Sequence, residues 1–341
     1  MTRKAVAAAL DWLGVPEFVM NLRRSAPIWL TVLTYHRVAH SGAASTLDDG
    51  VVDVTQELLE KQLSFLGRWF QAVGLDELLL FAQGRHALPN NPVLITFDDG
   101  YRDNHDVALP LLRRYGIRAT FFVATEYVEK RRLFWWDRIA LAIKRSEQNR
   151  IEIDYPERIA LSMAGASERS RSIRRLQRIV KVTPGLDLER FINGLERAAC
   201  AQLNPHEQRC LADETVMTWD HVVALRRAGM DVQSHTETHR VLQTLDARQL
   251  AKELRGSRDA LQRVLGEPVR AISYPVGDPV GWTPHIRRAV REAGYELGFS
   301  NGTGMSLLQA FDPLDIRRVS MDLSLGDRYF RAALALPWLG Y

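Results

Sequence analysis

The chain has 341 residues, 46% of them hydrophobic, which suffices for a large core and is ordinary for one closed α/β barrel. Lysine and arginine number 45 against 41 acidic residues, so the net charge of +4 does not indicate a nucleic-acid binder. The two cysteines, Cys200 and Cys210, resemble neither a disulfide framework nor a zinc ribbon. No segment approaches the roughly 18–20 uninterrupted apolar residues that span a bilayer.

At the N-terminus, Arg3 and Lys4 precede Ala5-Val6-Ala7-Ala8-Ala9-Leu10, but Asp11 interrupts the apolar run. No small-residue cleavage site follows before Pro16-Glu17, so a short amphipathic helix is expected rather than an export signal. A cytoplasmic protein in peripheral contact with the inner membrane surface is the corresponding expectation. Residues 28–35 form a β-prone run ending at His36, followed by a polar loop from Ala39 to Asp53. Thr55 then caps an expected helix to Trp69, with Leu58, Leu59, Leu63, Phe65 and Leu66 at near-helical spacing.

Val93-Leu94-Ile95-Thr96-Phe97 reads as a buried strand, 104–115 as a helix stopped by Gly116, and Ala119–Val123 as another strand. Strand, helix, strand in that order implies parallel pairing. Residues 131–213 break the rhythm. They are rich in Arg, Glu and Gln, and apart from the short Ile151-Glu152-Ile153 they read as a helical insertion. The alternation resumes with a helix at 218–228, a strand from Met230 to Ser234 and a helix from Ala247 to Leu265. A strand from Ala271 to Tyr274, a helix at 284–293 and a strand around Leu297–Ser300 follow. The expected architecture is a single α/β domain over 1–341, barrel-like, with its core in 28–130 and 215–320.

Three motifs fall at strand ends. Asp98-Asp99-Gly100 closes the strand at 93–97, and two adjacent buried carboxylates are costly unless a cation compensates them. Taken alone, the pair is equally a turn or helix cap. His235 and His239 follow the strand ending at Ser234, and their spacing lets both rings face one side of a helical turn. One Asp with two His leaves an open position on a metal such as zinc, as hydrolytic sites do. Third, Tyr274-Pro275-Val276-Gly277 fixes a turn. Its Tyr274 N–H could serve as an oxyanion donor, or the segment could be an ordinary strand-ending turn.

In this order, Thr96-Phe97-Asp98-Asp99-Gly100, His235-Thr236-Glu237-Thr238-His239 and Tyr274-Pro275-Val276-Gly277 resemble the first three motifs of the polysaccharide deacetylases, carbohydrate esterase family 4. The resemblance implies a distorted (β/α)7-type barrel and metal-dependent hydrolysis of N-acetyl groups on amino sugars. By position, Asp98 would be the general base, Asp99, His235 and His239 the ligands of a divalent metal, most simply Zn2+, and Tyr274 the oxyanion donor. The chain departs from the family at two places. Ser273 stands where the family often has an arginine that contacts the base. No late Leu-x-His motif follows residue 300, and Asp315-Ile316-Arg317-Arg318-Val319 holds no histidine.

Leu33-Thr34-Tyr35-His36-Arg37-Val38 resembles the early Tyr-His motif of the circularly permuted poly-N-acetylglucosamine deacetylase branch. That resemblance makes His36 the substitute acid, with His285 a weaker rival. Trp135 and Trp136, together with Tyr101, are candidate sugar-binding aromatics. Basic residues from Arg169 to Lys181 flank an apolar stripe of Ile173, Leu176 and Val180, suiting an anionic membrane surface or a solvated helix face.

The reading is a metal-dependent hydrolase removing acetyl groups from the amino sugars of a polysaccharide or its lipid-linked precursor. Deformylation of a lipid-linked amino sugar, or metal and glycan binding without catalysis, are the alternatives.

Overall fold

A computed structural model describes residues 3–23, 28–39, 46–277, 283–323 and 326–336. Seven parallel strands close into a barrel in chain order. They are β1 (Trp29–Tyr35), β2 (Pro92–Phe97), β3 (Ala119–Val123), β4 (Asp231–Ser234), β5 (Ala271–Ser273), β6 (Leu297–Thr303) and β7 (Ile316–Ser320). Closure comes from β1, which pairs with β2 through Thr31↔Val93 to Tyr35↔Phe97 and with β7 through Leu33↔Val319.

Strand alternation sorts each side chain in or out. Leu33, Tyr35, Ile95, Phe97 and Phe121 share one buried cluster with Leu59, Leu63 and Leu66 of the helix Gln56–Trp69. That helix is capped as expected, Thr55 Oγ1 accepting from the Leu58 N–H at 3.2 Å. Val32, Leu94, Phe122, Phe299 and Ile316 form a second buried cluster. Two residues further along their strands, the same alternation reaches Thr34, Thr96 and Arg318, and then Asp98. The barrel's apolar plug thus gives way to polar groups towards the C-terminal rim, where parallel barrels carry their sites.

β7 was not anticipated, because Arg317-Arg318 makes the segment read as polar. The loop after His36 also contains order: Arg37–Ala39 pairs in parallel with Val52–Thr55. Between β3 and β4 lie the helices Trp135–Arg145, Ala166–Val182, Leu188–Ala198 and Pro205–Thr215. Ile151-Glu152-Ile153 belongs to one arm of an antiparallel hairpin, Arg150–Ile153 against Ile159–Ser162. Its Ile151, Ile153, Ile159 and Leu161 are buried in alternation, which is the period of a sheet covered on one face.

At the other end of the barrel, the helices Arg3–Trp12 and Val15–Arg23 pack with Asp327–Ala335. Asn91 Nδ2 donates to the Met20 carbonyl at 3.3 Å, and the Arg23 guanidinium lies 4.6 Å from the Trp29 ring centre, so this layer meets the strands where they begin. No helix among the described residues is long and apolar enough to cross a membrane.

Candidate active site

Asp98 and Asp99 leave β2 at its C-terminal end and are both buried. Asp99 has φ 76 and Gly100 φ 95, a left-handed turn that aims the two carboxylates differently. Asp98 continues the inward series of Leu94 and Thr96. There it meets Arg318, which reaches the same level two residues beyond Ile316 on β7. Arg318 Nη1 lies 2.9 Å from Asp98 Oδ1 and Nη2 2.9 Å from Oδ2, a two-point pairing with neither side chain exposed. Ser273 Oγ donates to Asp98 Oδ2 at 2.9 Å. Burial pushes Asp98 up, but the Arg318 guanidinium, helped by His235, holds it well below the usual carboxylate range.

Arg318 thus occupies the role that the sequence left vacant at Ser273. The only hint in the sequence was that Leu314, Ile316 and Arg318 fall at period two, too short a pattern to mark the arginine as buried.

Asp99 Oδ1 sits 3.3 Å from His235 Nε2 and 3.3 Å from His239 Nε2. Among the described residues, these three offer ligand atoms within 4.8 Å of one another. Tetrahedral bonds of about 2.0–2.1 Å separate neighbouring ligands by roughly 3.3 Å, so the spacing suits a small divalent ion. His235 Nδ1 lies 2.7 Å from the Ser273 carbonyl. A carbonyl only accepts, so Nδ1 carries the proton and Nε2 keeps its lone pair for a metal. Burial pushes His239 down to about 3, keeping it neutral as a ligand must be. Asp99 Oδ1 is buried without a hydrogen-bond partner, the state expected of a ligand oxygen.

The histidines do not share a helical turn. Residues 235–240 are irregular, with Thr236 at φ 65 and His239 at φ 54, and these left-handed bends bring the rings to 4.7 Å between centres. Glu253 holds the loop by accepting the N–H groups of Glu237 and Thr238.

His36 lines the same cavity of about 200 Å³ as Asp98, Asp99, His235 and His239. Asp53, which the sequence reading passed over, accepts both the His36 backbone N–H at 2.5 Å and its Nδ1 at 2.8 Å. Burial opposes protonation of His36, but Asp53, with Asp99 and Asp98 beyond it, raises its pKa to about 9. Asn104 Nδ2 fixes the His36 carbonyl at 2.7 Å. His285 is exposed on the helix Pro284–Glu292 and does not line this cavity, while Trp282 beside it lies outside the described residues.

Two expectations are corrected. The Tyr274 N–H donates to the Phe299 carbonyl at 2.9 Å, because the β5–β6 ladder continues through it, so it does not point into the cavity. Its hydroxyl donates to the Leu314 carbonyl. The candidate sugar-binding aromatics are wall. Tyr101 is 0% exposed, accepting from Trp136 Nε1 at 2.6 Å and donating to Asp137. Trp135 and Trp136 edge the cavity at 2% and 4% exposure, which leaves no ring face for a sugar. They brace His239 instead, Trp135 Nε1 donating to its carbonyl and the Trp136 ring lying 4.5 Å from its imidazole.

Comparison with known proteins bears on the fold and the family. YxkH of Bacillus subtilis, named as a polysaccharide deacetylase, is 29% identical over 103 residues, 30% of this chain. The aligned part is 34% of YxkH, so the match spans about a third of that relative. The Streptococcus pyogenes deacetylase PplD superposes with a TM-score of 0.57 at 16% identity, covering 89% of this chain and 97% of that one. A de-N-acetylase from Aggregatibacter actinomycetemcomitans gives 0.56 at 17% identity over 89% and 98% of the two chains. IcaB from Ammonifex degensii gives 0.55 at 19% identity over 90% and 97%. These likenesses show a shared fold. The sequence model of the family described as Polysaccharide deacetylase matches residues 85–155 and 197–298. The first segment carries Asp98 and Asp99, the second His235 and His239, and on that match the chain belongs to the polysaccharide deacetylase family.

Proposed function

We propose that this protein removes N-acetyl groups from the amino sugars of a polysaccharide, using a divalent metal, most simply Zn2+, held by Asp99, His235 and His239. The observation that carries this reading is the division of labour within one cavity. A carboxylate locked by Arg318, an Asp–His–His set at metal-ligand spacing and a histidine kept protonated by Asp53 face the same space. A bound divalent ion would supply Lewis-acid polarisation of the amide carbonyl and ease deprotonation of water.

The chain's own groups account for the proton movements. Asp98, held ionised, takes a proton from the attacking water as general base. Arg318 and Ser273 keep its two oxygens in place, so the base does not swing away. His36, held as its cation, gives a proton to the departing amine. His36 then regains a proton from solvent, which Asp53 favours by stabilising the positive imidazolium, and Asp98 releases to solvent the proton it took from water. With the Tyr274 N–H engaged in the barrel, no protein donor is assigned to the oxyanion.

Release of acetate from N-acetylated oligosaccharides by the metal-loaded protein, with loss on chelation, is the test. Formate from N-formylated sugars without acetate would move the assignment to deformylation. Binding with neither product would make the chain a metal-dependent glycan binder.

A membrane-surface position belongs to the same proposal. Trp12 and Phe18 are 83% and 66% exposed on the N-terminal helices, with Leu13 and Leu22 also open, while Arg328 on the helix packed beside them is exposed but paired with Asp11 at 3.8 Å. Exposed apolar rings and aliphatic side chains clustered on one face suit a lipid interface. This face lies at the strand beginnings, opposite the rim that holds Asp98. A polymer reaching the far rim fits that arrangement better than a sugar attached directly to a membrane-embedded lipid.

A further inference from the structure

We propose that Lys181 makes the catalytic cavity selective for amino-sugar substrates bearing an anionic group, a carboxylate or a phosphate, beside the acetylated position. The inference rests on the deacetylase reading and adds to it the chemistry of the substrate. It starts from the helix Ala166–Val182. That helix falls within residues 156–196, the stretch between the two segments matched by the family. Its Ile173, Leu176 and Val180 are buried, which seats it firmly. The neighbouring face carries Gln177 and Lys181, one turn apart, and both line the cavity with Asp98, Asp99, His235 and His239. The chemistry therefore lies in the matched barrel segments, while part of the cavity's lining comes from a helix outside them.

Gln177 and Lys181 are differently committed. Gln177 Nε2 donates to Asp48 Oδ2 at 2.5 Å, and the Asp48 N–H donates to the buried Asp137 at 2.9 Å, tying the helix to the loop on the far side of the cavity. Lys144 fastens the same loop, donating to the Leu47 carbonyl at 2.5 Å and to Asp49 at 2.7 Å. For Lys181, no carboxylate among the described residues lies within 4.0 Å. The acids that share the cavity already have partners: Asp48 has Gln177, Asp98 has Arg318, and Asp99 faces the two histidines.

An ammonium group is a compact, strongly hydrated charge with three donors, and confining it costs free energy that neutral sugar hydroxyls offset poorly. Lys181 is partly buried, and a carboxylate or phosphate on the substrate offsets more of that cost through charge-assisted hydrogen bonds. A site built around such a charge also penalises a substrate that lacks the matching group. The anion has two possible sources: a uronic acid next to the amino sugar in a polymer, or the phosphate of a glycosyl phosphate.

The test compares wild type, Lys181→Met and Lys181→Arg on three probes. These are a neutral N-acetylglucosamine tetramer, a tetramer alternating N-acetylglucosamine with glucuronate, and N-acetylglucosamine 1-phosphate. Wild type is expected to show a KM for one acidic probe about tenfold or more below that for the neutral one. Lys181→Met should collapse that ratio through KM rather than kcat, and Lys181→Arg should largely keep it. The acidic probe that responds identifies the source of the anion. An acidic-to-neutral ratio untouched by Lys181→Met, or a change confined to kcat, overturns the proposal and leaves the deacetylase reading standing. Should wild type release acetate from none of the probes, the deacetylase reading falls. Calorimetric titration of the glucuronate tetramer and of N-acetylglucosamine 1-phosphate into Asp98→Asn protein then decides Lys181 by itself. Binding of either acidic probe that is lost on adding Lys181→Met supports the anion contact. Failure of both to bind, or retention despite the second change, overturns it.

Discussion

Arg318 and Asp98 come from strands that are not neighbours in the barrel wall, yet their side chains meet inside it at 2.9 Å on both oxygens. β1 lies between them, and its inward Thr34 contacts Thr96 directly below. A fully buried ion pair is a poor source of net stability, because desolvation consumes most of the attraction. Its worth here is positional, fixing Asp98, the proposed base, in orientation and charge. Arg318→Met should therefore cost about 3–5 kcal/mol in urea unfolding, since it strands a buried carboxylate. The sign with pH follows from the depressed Asp98 pKa. The pair's contribution is present above the unfolded aspartate value and is lost as pH falls through the lower folded one. In kcat/KM, the same variant should move the acid limb upward, because Asp98 then ionises against its burial. An acid limb unchanged in Arg318→Met protein would remove Arg318 from control of the base.

Asp98 and Asp99 are adjacent in sequence but should separate in experiment. Asp98→Asn keeps the three ligand atoms, so stoichiometric metal should survive dialysis while acetate release falls by about 10²–10⁴. Asp99→Asn and His235→Ala each remove a ligand and should lose the metal under the same dialysis. Full metal content in His235→Ala protein would displace His235 from the ligand set.

His36 gives a prediction on the alkaline side. Its folded pKa is raised to about 9, so the acid form persists through neutrality and the rate should fall as pH passes about 9. Asp53→Asn removes the nearest carboxylate, and the falling limb should shift towards the ordinary histidine value of 6.5. For stability, the His36–Asp53 contribution is fully present below the unfolded histidine pKa and lost as pH rises through the folded one. His36→Gln should keep its metal and lose the limb altogether. A limb that survives that substitution belongs to another group.

Much of this was legible in the sequence wherever chemistry and strand ends coincide. Val93–Asp99 announced both a buried strand and its charged tip, because five apolar or β-branched residues cannot be followed cheaply by two carboxylates. Arg318 was not legible, because a buried arginine looks like a surface one until its partner is known. Asp53 escaped for a similar reason, lying in a short strand whose pairing with Arg37–Ala39 depends on tertiary contact. The aromatic residues misled in the opposite direction. Trp135, Trp136 and Tyr101 have the composition of a sugar platform, but only the packing reveals that their faces are spent on one another and on His239. Likewise, spacing alone gave His235 and His239 a helix, whereas left-handed bends at Thr236 and His239 bring them together.

The N-terminal face supplies the last prediction. Trp12 and Phe18 stand open on helices that pack where the strands begin, while Asp98 and His36 lie where they end. The seven residues of β1 span six rises of about 3.3 Å along a strand tilted to the barrel axis, which puts roughly 16 Å between those levels. Removing both rings, as Trp12→Ser with Phe18→Ser, deletes apolar burial of about 1.5–3 kcal/mol per ring at a lipid interface. Flotation with phosphatidylglycerol-containing vesicles should therefore fall by tenfold or more. Acetate release from a soluble oligosaccharide should stay as it was, because the rings touch none of the reacting groups. Equal flotation of the variant and wild type would end the membrane proposal. Loss of flotation together with unchanged hydrolysis would show that the rings hold the lipid surface and take no part in the chemistry.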